Sequence, residues 1–219
     1  MDFTAVIAAR AGSRRVKNKN IRPFGKTNLL LHKIGQLKQV KEISRIVVSS
    51  DSEEILEFAE SSGVITHTRP PEYCDEKTKS MGEVIAYICD NIEGEEIIWT
   101  PCTAPLITPE LYSEAIRRYK EKLSEGYDSL FTAEEIRAFI CSKDGRPLNY
   151  EFGVNQVPSQ KLEPIYFSTG GIYIAPRLKM IEWKYYIGDN PYMFVLDKKS
   201  AIDIDDELDL LCAQSWFEA

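Results

Sequence analysis

The 219-residue chain carries 27 lysines and arginines against 34 aspartates and glutamates, a formal charge of -7, and is 43% apolar. That suits one sizeable domain, and no stretch approaches the roughly 20 apolar residues of a membrane span. Five scattered cysteines without a C-x-x-C pair, and only two histidines, His32 and His67, argue against a disulfide framework, a zinc cluster or a Ser-His-Asp triad and fit free thiols in a reducing cytoplasm. The chain enters strand-like sequence almost at once, with no signal peptide visible.

Phe3 to Ala9 is an apolar run that reads as a buried strand. The next stretch, Arg10 to Asn20, interleaves Arg10, Arg14, Arg15, Lys17 and Lys19 with Gly12, Ser13 and two asparagines. A loop of this kind offers backbone N–H groups that form an anion-binding concavity, with fixed positive charge aimed into it. Two unit charges about 4 Å apart interact by roughly 4 kcal/mol at an intermediate dielectric, so several aimed at one polyphosphate matter. A solvated basic loop is the plain alternative. Its position favours phosphate, because open α/β sheets bind ligands at their strand ends. No acidic residue lies between Asp2 and Glu42, whereas the rest of the chain is acidic. One basic site on an acidic chain argues for a small anionic ligand rather than nucleic acid. Phe24 and His32 give bases little to stack on there.

A helix is expected from about Asn28 to Val40, and a strand from Ser44 to Ser50. Asp51-Ser52-Glu53-Glu54 opens the next helix with a cap and acids in its first turn, and Gly63 ends it. Val64 to His67 is a brief strand, Arg69 to Glu72 a loop, and Thr78 or Ser80 caps a helix through about Ile92. Glu96 to Thr100 is a strand ended by Pro101 and Pro105, and Thr108-Pro109-Glu110 starts a helix. Asp128 to Ala133 is a strand. Arg137 to Pro164 is polar and irregular, with a hairpin at Asp144-Gly145. Gly170-Gly171 precede a strand from Ile172 to Ala175, and Tyr192 to Leu196 and Ala201 to Ile204 are late strands. Asp206 to Phe217 closes the chain as a helix. Strands alternating with helices predict an α/β fold, a mostly parallel sheet with helices on both faces.

Asp203 and Asp205 are the second informative feature. Two residues apart in a strand, they share a face, and two such carboxylates repel unless a cation or a proton lies between them. Oxygen ligands suit Mg²⁺, which takes one or two carboxylates plus substrate phosphates. Capping of the closing helix accounts for Asp205, Asp206 and Glu207 but not for Asp203. A basic loop and an acidic pair together suggest phosphoryl or nucleotidyl transfer. Neither G-x-x-x-x-G-K-[ST] nor G-x-G-x-x-G is present.

Ile7 to Ile21 resembles the opening motif of the acylneuraminate cytidylyltransferases (CMP-sialic acid synthetases and relatives), roughly I-P-A-R-x-G-S-K-x-I-x-x-K-N-I. Val47 to Ile55 is similar to that family's second strand and turn, Arg69-Pro70 followed by Ser80 to its R-P…S segment, and Asp203-Ile204-Asp205 to its late D-I-D. The likeness runs in order along nearly the whole chain. It implies a single Rossmann-like nucleotidyltransferase domain over residues 1–219 that binds CTP and Mg²⁺. Such a domain transfers CMP to the anomeric hydroxyl of a nonulosonic, sialic-acid-like α-keto acid sugar and releases pyrophosphate. Carried over, Arg10 and Lys19 stabilise the phosphates during transfer, and Ala9, Gly12, Ser13, Asn20, Arg69 and Ser80 bind CTP. Asp203 and Asp205 hold the metal, Asp205 also serving catalysis. Residues 137–164 correspond to a projecting subdomain through which relatives dimerise. Plain alternatives are Arg69 as a surface cation, Ser80 as a helix cap and Asn20 as a turn residue.

Two departures bear on the acceptor. Pro101-Cys102-Thr103-Ala104-Pro105-Leu106 stands where relatives show Q-P-T-S-P-L, and Thr169-Gly170-Gly171-Ile172-Tyr173-Ile174 where they carry N-G-x-I-Y-I. Other readings are a nucleotidyltransferase for a phosphorylated acceptor, a nucleotide-binding module without chemistry and, resting on the basic loop alone, a nucleic-acid binder.

Overall fold

Side-chain alternation sets the layers, because successive residues of a strand point to opposite faces. In β1 (Phe3–Ala8), β4 (Ile43–Ser50) and β6 (Glu96–Trp99), the residues Phe3, Ala5, Ile7, Ile46, Val48 and Ile98 feed one apolar core. Val6, Val47, Ile97 and Trp99 feed a second core on the other side. Helices α1 (Leu29–Leu37), α2 (Glu53–Ser61), α4 (Pro109–Leu123) and α6 (Glu207–Glu218) pack on the first face. Helices α3 (Met81–Asp90) and α5 (Arg177–Trp183) pack on the second. This computed structural model describes every residue except Arg14, Glu76 and Ala219. Arg14, one of the cations of the basic loop, therefore lies outside the described residues.

The remaining strands are β5 (Ile65–Thr68), β7 (Ser129–Ile136), β8 (Ile165–Pro176), β9 (Pro191–Leu196) and a two-stranded hairpin of β2 (Pro23–Phe24) and β3 (Thr27–Asn28). The seven-stranded sheet has the order β5-β4-β1-β6-β8-β7-β9. Only β8 runs against its neighbours β6 and β7, so the fold is α/β, mostly parallel and Rossmann-like. The chain leaves β1 toward β4 and β5 and returns to place β6 on the other side of β1. That reversal opens a crevice beyond the carboxyl ends of β1 and β6. The basic loop leaves one of these ends, and the proline-bearing segment 101–106 leaves the other.

Two expectations need correction. Ala201 to Ile204 is not a strand: no ladder pairs it, and its backbone is taken up by a turn (Ala201 N–H to the Asp197 carbonyl, 2.9 Å) and one bond to a loop (Ile204 N–H to the Thr103 carbonyl, 2.8 Å). The strand after the glycine pair starts earlier than Ile172, because β8 runs through Gly170 and Gly171. The register slips where Phe131 pairs Tyr173 but Ala133 pairs Ser168. Thr132 fills this bulge, its hydroxyl accepting from Ile172 N–H at 2.9 Å and from the Thr169 hydroxyl at 3.0 Å. Bulges of this kind re-aim backbone beside functional sites. The hairpin at Asp144-Gly145 is present, closed by a bridge between Cys141 and Pro147. Residues 137–164 project from the β7–β8 pair as a largely exposed arm.

Glu96 offers a clean test of the packing. It is buried at the start of β6 and accepts the Tyr119 hydroxyl of α4 at 2.6 Å. Burial raises its carboxyl above the ordinary range, against that hydrogen bond. The folded state therefore loses stability as pH rises through the raised value, because the unfolded chain hydrates the ion better. Glu96→Gln keeps an acceptor for Tyr119 and removes the ion. Thermal melts should show the variant more stable than wild type at neutral pH, with the gain shrinking as pH falls below the ordinary glutamate range; a loss of stability at neutral pH contradicts this.

Candidate active site

Loop chemistry brings the basic stretch into position. After β1 the Ala9 amide donates to the Ser49 carbonyl at 2.9 Å, so Ala9 ends the sheet and packs in the core. The Ala11 amide then donates to Asp51 Oδ1 at 2.8 Å, turning the chain at the end of β4. Gly12 follows with φ +68°, the left-handed region that costs other residues about 1–2 kcal/mol. Asn20 is buried and ties three segments: its Nδ2 donates to the Arg10 carbonyl at 3.0 Å, and its Oδ1 accepts from Cys102 Sγ at 3.2 Å. Burial pushes the Cys102 thiol up to about 12, so it remains a neutral donor.

Two adjoining clefts occupy the crevice. One, of about 340 Å³, is lined by Arg10, Ser13, Arg15, Lys19 and Asn20. The other, of about 360 Å³, is lined by Arg69, Lys79, Ser80, Gly170, Tyr173 and Asp203, among others. Ala8, Arg10, Pro101 and Thr103 line both. Each volume falls within the usual range for a small-molecule site. Polar groups converge in the second cleft from an aromatic wall in which Tyr173 and Tyr186 lie 3.8 Å apart, ring to ring.

Arg69 is buried, and among the described residues its Nε finds no hydrogen-bond partner. It is thus no surface cation, although its side chain lines the second cleft. Ser80 does cap α3, its hydroxyl accepting from Glu83 N–H at 3.3 Å and donating to Glu83 Oε2 at 3.0 Å, and it also lines the cleft. Lys79 pairs with Glu83 at 3.0 Å.

The acidic pair divides. Asp203 is held in the second cleft, where a Cβ added at Gly170 would stand 3.1 Å from its Oδ2. Its Oδ1 is buried without a partner among the described residues. Burial raises its carboxyl, while the Thr103 hydroxyl and Lys19 pull it down. Asp205 is exposed; it accepts a hydrogen bond from Arg15 at 2.7 Å and lies 3.7 Å from the Lys19 ammonium as an ion pair. The shared strand face expected of them is therefore absent, although Ile204 between them does pack into the core. Asp206, not Asp205, caps α6, accepting from Leu208 N–H at 2.8 Å and Asp209 N–H at 3.0 Å. Lys19 Nζ donates to the Ile204 carbonyl at 2.6 Å, so the basic loop and the late acids meet across one crevice.

No group of three or more His, Cys, Asp and Glu side chains gathers as a metal cage among the described residues. Asp203 and Asp205 fit a hard cation that completes its shell with phosphate oxygens: one carboxylate has an idle oxygen, and the other sits in an exposed ion pair typically worth about 0–1 kcal/mol and readily exchanged. Of the remaining expected residues, Ser13 lines the first cleft, whereas Ala9 and Gly12 line neither. Sequence reasoning did not single out Asp51 or the Thr103 hydroxyl. The signal for Asp51 was its place directly after a strand, where it was read only as part of a helix cap.

The profile of the cytidylyltransferase family matches residues 4–144, more than half the chain. The chain belongs to the cytidylyltransferase family. It is similar to the post-translational flagellin modification protein B of Campylobacter coli, 27% identical over 219 residues covering 95% of this chain and 92% of that protein. It is likewise similar to the pseudaminic acid cytidylyltransferase of Campylobacter jejuni, 26% identical over 228 residues covering 100% and 97%. In fold it is similar to a CMP:2-keto-3-deoxy-manno-octonic acid synthetase complexed with CTP, with a TM-score of 0.73 at 14% identity over 100% of this chain and 99% of that one.

In this cytidylyltransferase Gly170 (φ +70°) and Gly12 (φ +68°) share the same backbone strain, but only Gly170 has Asp203 against it. Urea unfolding should show Gly12→Ala losing about 1–2 kcal/mol and Gly170→Ala losing more. Equal losses would mean that Asp203 does not pack against the turn.

Proposed function

We propose that the chain is a CTP-dependent enzyme that transfers CMP to the anomeric hydroxyl of a nonulosonic acid, releasing pyrophosphate. The observation that carries this reading is the joined pair of clefts: a cationic pocket with Arg10 and Lys19 opens into a second pocket containing Asp203 and the aromatic wall. Full-length similarity to a pseudaminic acid cytidylyltransferase supports the acceptor class. Arg10 and Lys19 take the triphosphate and offset charge that moves onto pyrophosphate as it leaves. Asn20, Arg69 and Ser80 meet the nucleoside, Ser13 the phosphates. Ring faces of Tyr173 and Tyr186 suit the apolar face of a sugar.

Asp203 and Asp205 would hold Mg²⁺, which would supply charge neutralisation at the phosphate oxygens. One of the pair would also take the proton of the attacking hydroxyl: Asp205 carries that role in the family resemblance, and Asp203 lines the second cleft beside it. The five cysteines are free, which together with a CTP substrate suits a cytoplasmic enzyme. No helix among the described residues is long and apolar enough to cross a membrane.

A second copy of the chain is the partner proposed for the projecting arm. Phe139, Leu148, Phe152, Val154 and Val157 are exposed there, more apolar surface than a solvated loop needs.

Incubation with CTP, Mg²⁺ and a panel of nonulosonic acids should release pyrophosphate stoichiometric with a CMP-sugar. Release only with phosphorylated acceptors would replace this reading with the second nucleotidyltransferase reading. Asp203→Asn and Asp205→Asn should each lower turnover by about a hundredfold or more while CTP still binds, and unchanged product formation would remove the metal role. Light scattering should give twice the 25.0 kDa of one chain, falling to one chain when the arm's five exposed apolar side chains are replaced by serine; a monomeric wild type contradicts the partner.

A further inference from the structure

Helix α1 turns one cation inward. Lys33 has no exposed surface, and among the described residues no carboxylate bonds it. A buried ammonium without a counter-ion is an expensive way to fill a core position between Leu30 and Ile34, where an apolar side chain would pack at lower cost. Burial pushes Lys33 down to about 7, against the pull of Cys102 and Asp203.

What Lys33 holds is specific. Its Nζ donates to the Ala104 carbonyl at 2.6 Å and to the Tyr112 hydroxyl at 2.7 Å. Tyr112 and Thr100 hydroxyls lie 2.6 Å apart, and the Thr100 hydroxyl donates to the Gly171 carbonyl at 2.9 Å. The Gly171 carbonyl can only accept, so the Thr100 hydroxyl donates to it, the Tyr112 hydroxyl donates to Thr100, and Lys33 donates to Tyr112. The chain therefore runs one way, from Lys33 through Tyr112 and Thr100 to Gly171, each hydroxyl accepting once and donating once. Chains of this kind polarise and reinforce one another in a low-dielectric interior.

Both ends of the arrangement border Asp203. Ala104 follows Thr103, whose carbonyl receives the Ile204 amide. Gly171 follows Gly170, the residue facing Asp203 Oδ2. We propose that Lys33 is a positioning residue: it fixes the 101–106 loop directly, and the Gly170–Gly171 turn through Tyr112 and Thr100, at the spacing that aims Asp203 into the cleft. The role of Asp203 in turnover rests on the function proposed above, whereas the mechanical link does not.

The test uses Lys33→Met, which keeps the stem and removes the donor, and Tyr112→Phe, which cuts the chain and leaves Lys33 in place. Hydrogen exchange on the free protein reads the link without any substrate. Ile172 and Ile204 amides should exchange about tenfold faster or more in Lys33→Met, with the Ala9 amide unchanged. In turnover assays, kcat should fall by about tenfold to a hundredfold in Lys33→Met and by less in Tyr112→Phe, with KM for CTP within about twofold of wild type. Wild-type exchange at both amides overturns the inference whatever the activity. Wild-type kcat in both variants overturns it too, while absence of turnover in the wild type itself counts against the proposed function and leaves the exchange result to decide this one. Should Lys33→Met fail to fold, Tyr112→Phe carries the test, because faster exchange at Ile172 is required of it.

Discussion

The carbonyls of the loop after β6 are the constraint on which the rest of the site depends. Pro101 and Pro105 have no amide to donate, and the loop is buried beneath α1, so its carbonyls need donors from elsewhere. Helix α1 supplies them on one face: His32 to the Pro105 carbonyl at 2.9 Å, Lys33 to Ala104, and Gln36 to Pro105 at 2.7 Å. Burial lowers the His32 pKa, with the Pro105 contact opposing it, and favours the neutral ring. Thus a helix whose own residues line neither cleft holds the loop that both clefts share as a floor.

From that floor the site extends both ways. Cys102 reaches Asn20 and, through it, the Arg10 carbonyl. Thr103 receives Ile204 and stands beside Asp203. The cationic loop and the late acids are thereby fixed to the same six residues. Among the described residues they also meet directly, through the exposed Arg15–Asp205 pair, the longer Lys19–Asp205 pair and the partly buried Lys19 bond to Ile204. Exposed pairs contribute little to stability, which leaves these side chains able to exchange partners when a polyphosphate enters. Rigid floor and exchangeable walls are what a site needs when charge must be organised before the reaction and released after it.

Much of this was legible in sequence, and the reasons differ by element. The strands β1, β4 and β6 are short apolar runs bounded by polar turns, and the cores confirm their alternation. The helix caps at Asn28, Ser52, Ser80 and Thr108 follow from local chemistry alone. The segment at Ala201 to Ile204 misled because Ile202 and Ile204 mimic strand alternation, whereas one tertiary bond to Thr103 and core packing of Ile204 produce the same in-out pattern without a ladder. The bulge at Gly170 was invisible because it is set by Thr132, 38 positions away. Lys33 lies in the acid-free stretch between Asp2 and Glu42, where nothing local separates a cation that faces water from one that a neighbouring loop draws inside.

The central claim is that cationic loop and acidic segment act on one nucleotide across a shared floor. A crystal structure of the protein with CTP and Mg²⁺ tests it most directly. The account predicts phosphates within hydrogen-bond reach of Arg10 and Lys19, the base at Arg69 and Ser80, and a metal ion beside Asp203, with the Arg15–Asp205 pair opened. CTP bound outside the crevice, with that pair intact and Asp203 facing no ligand, would contradict it.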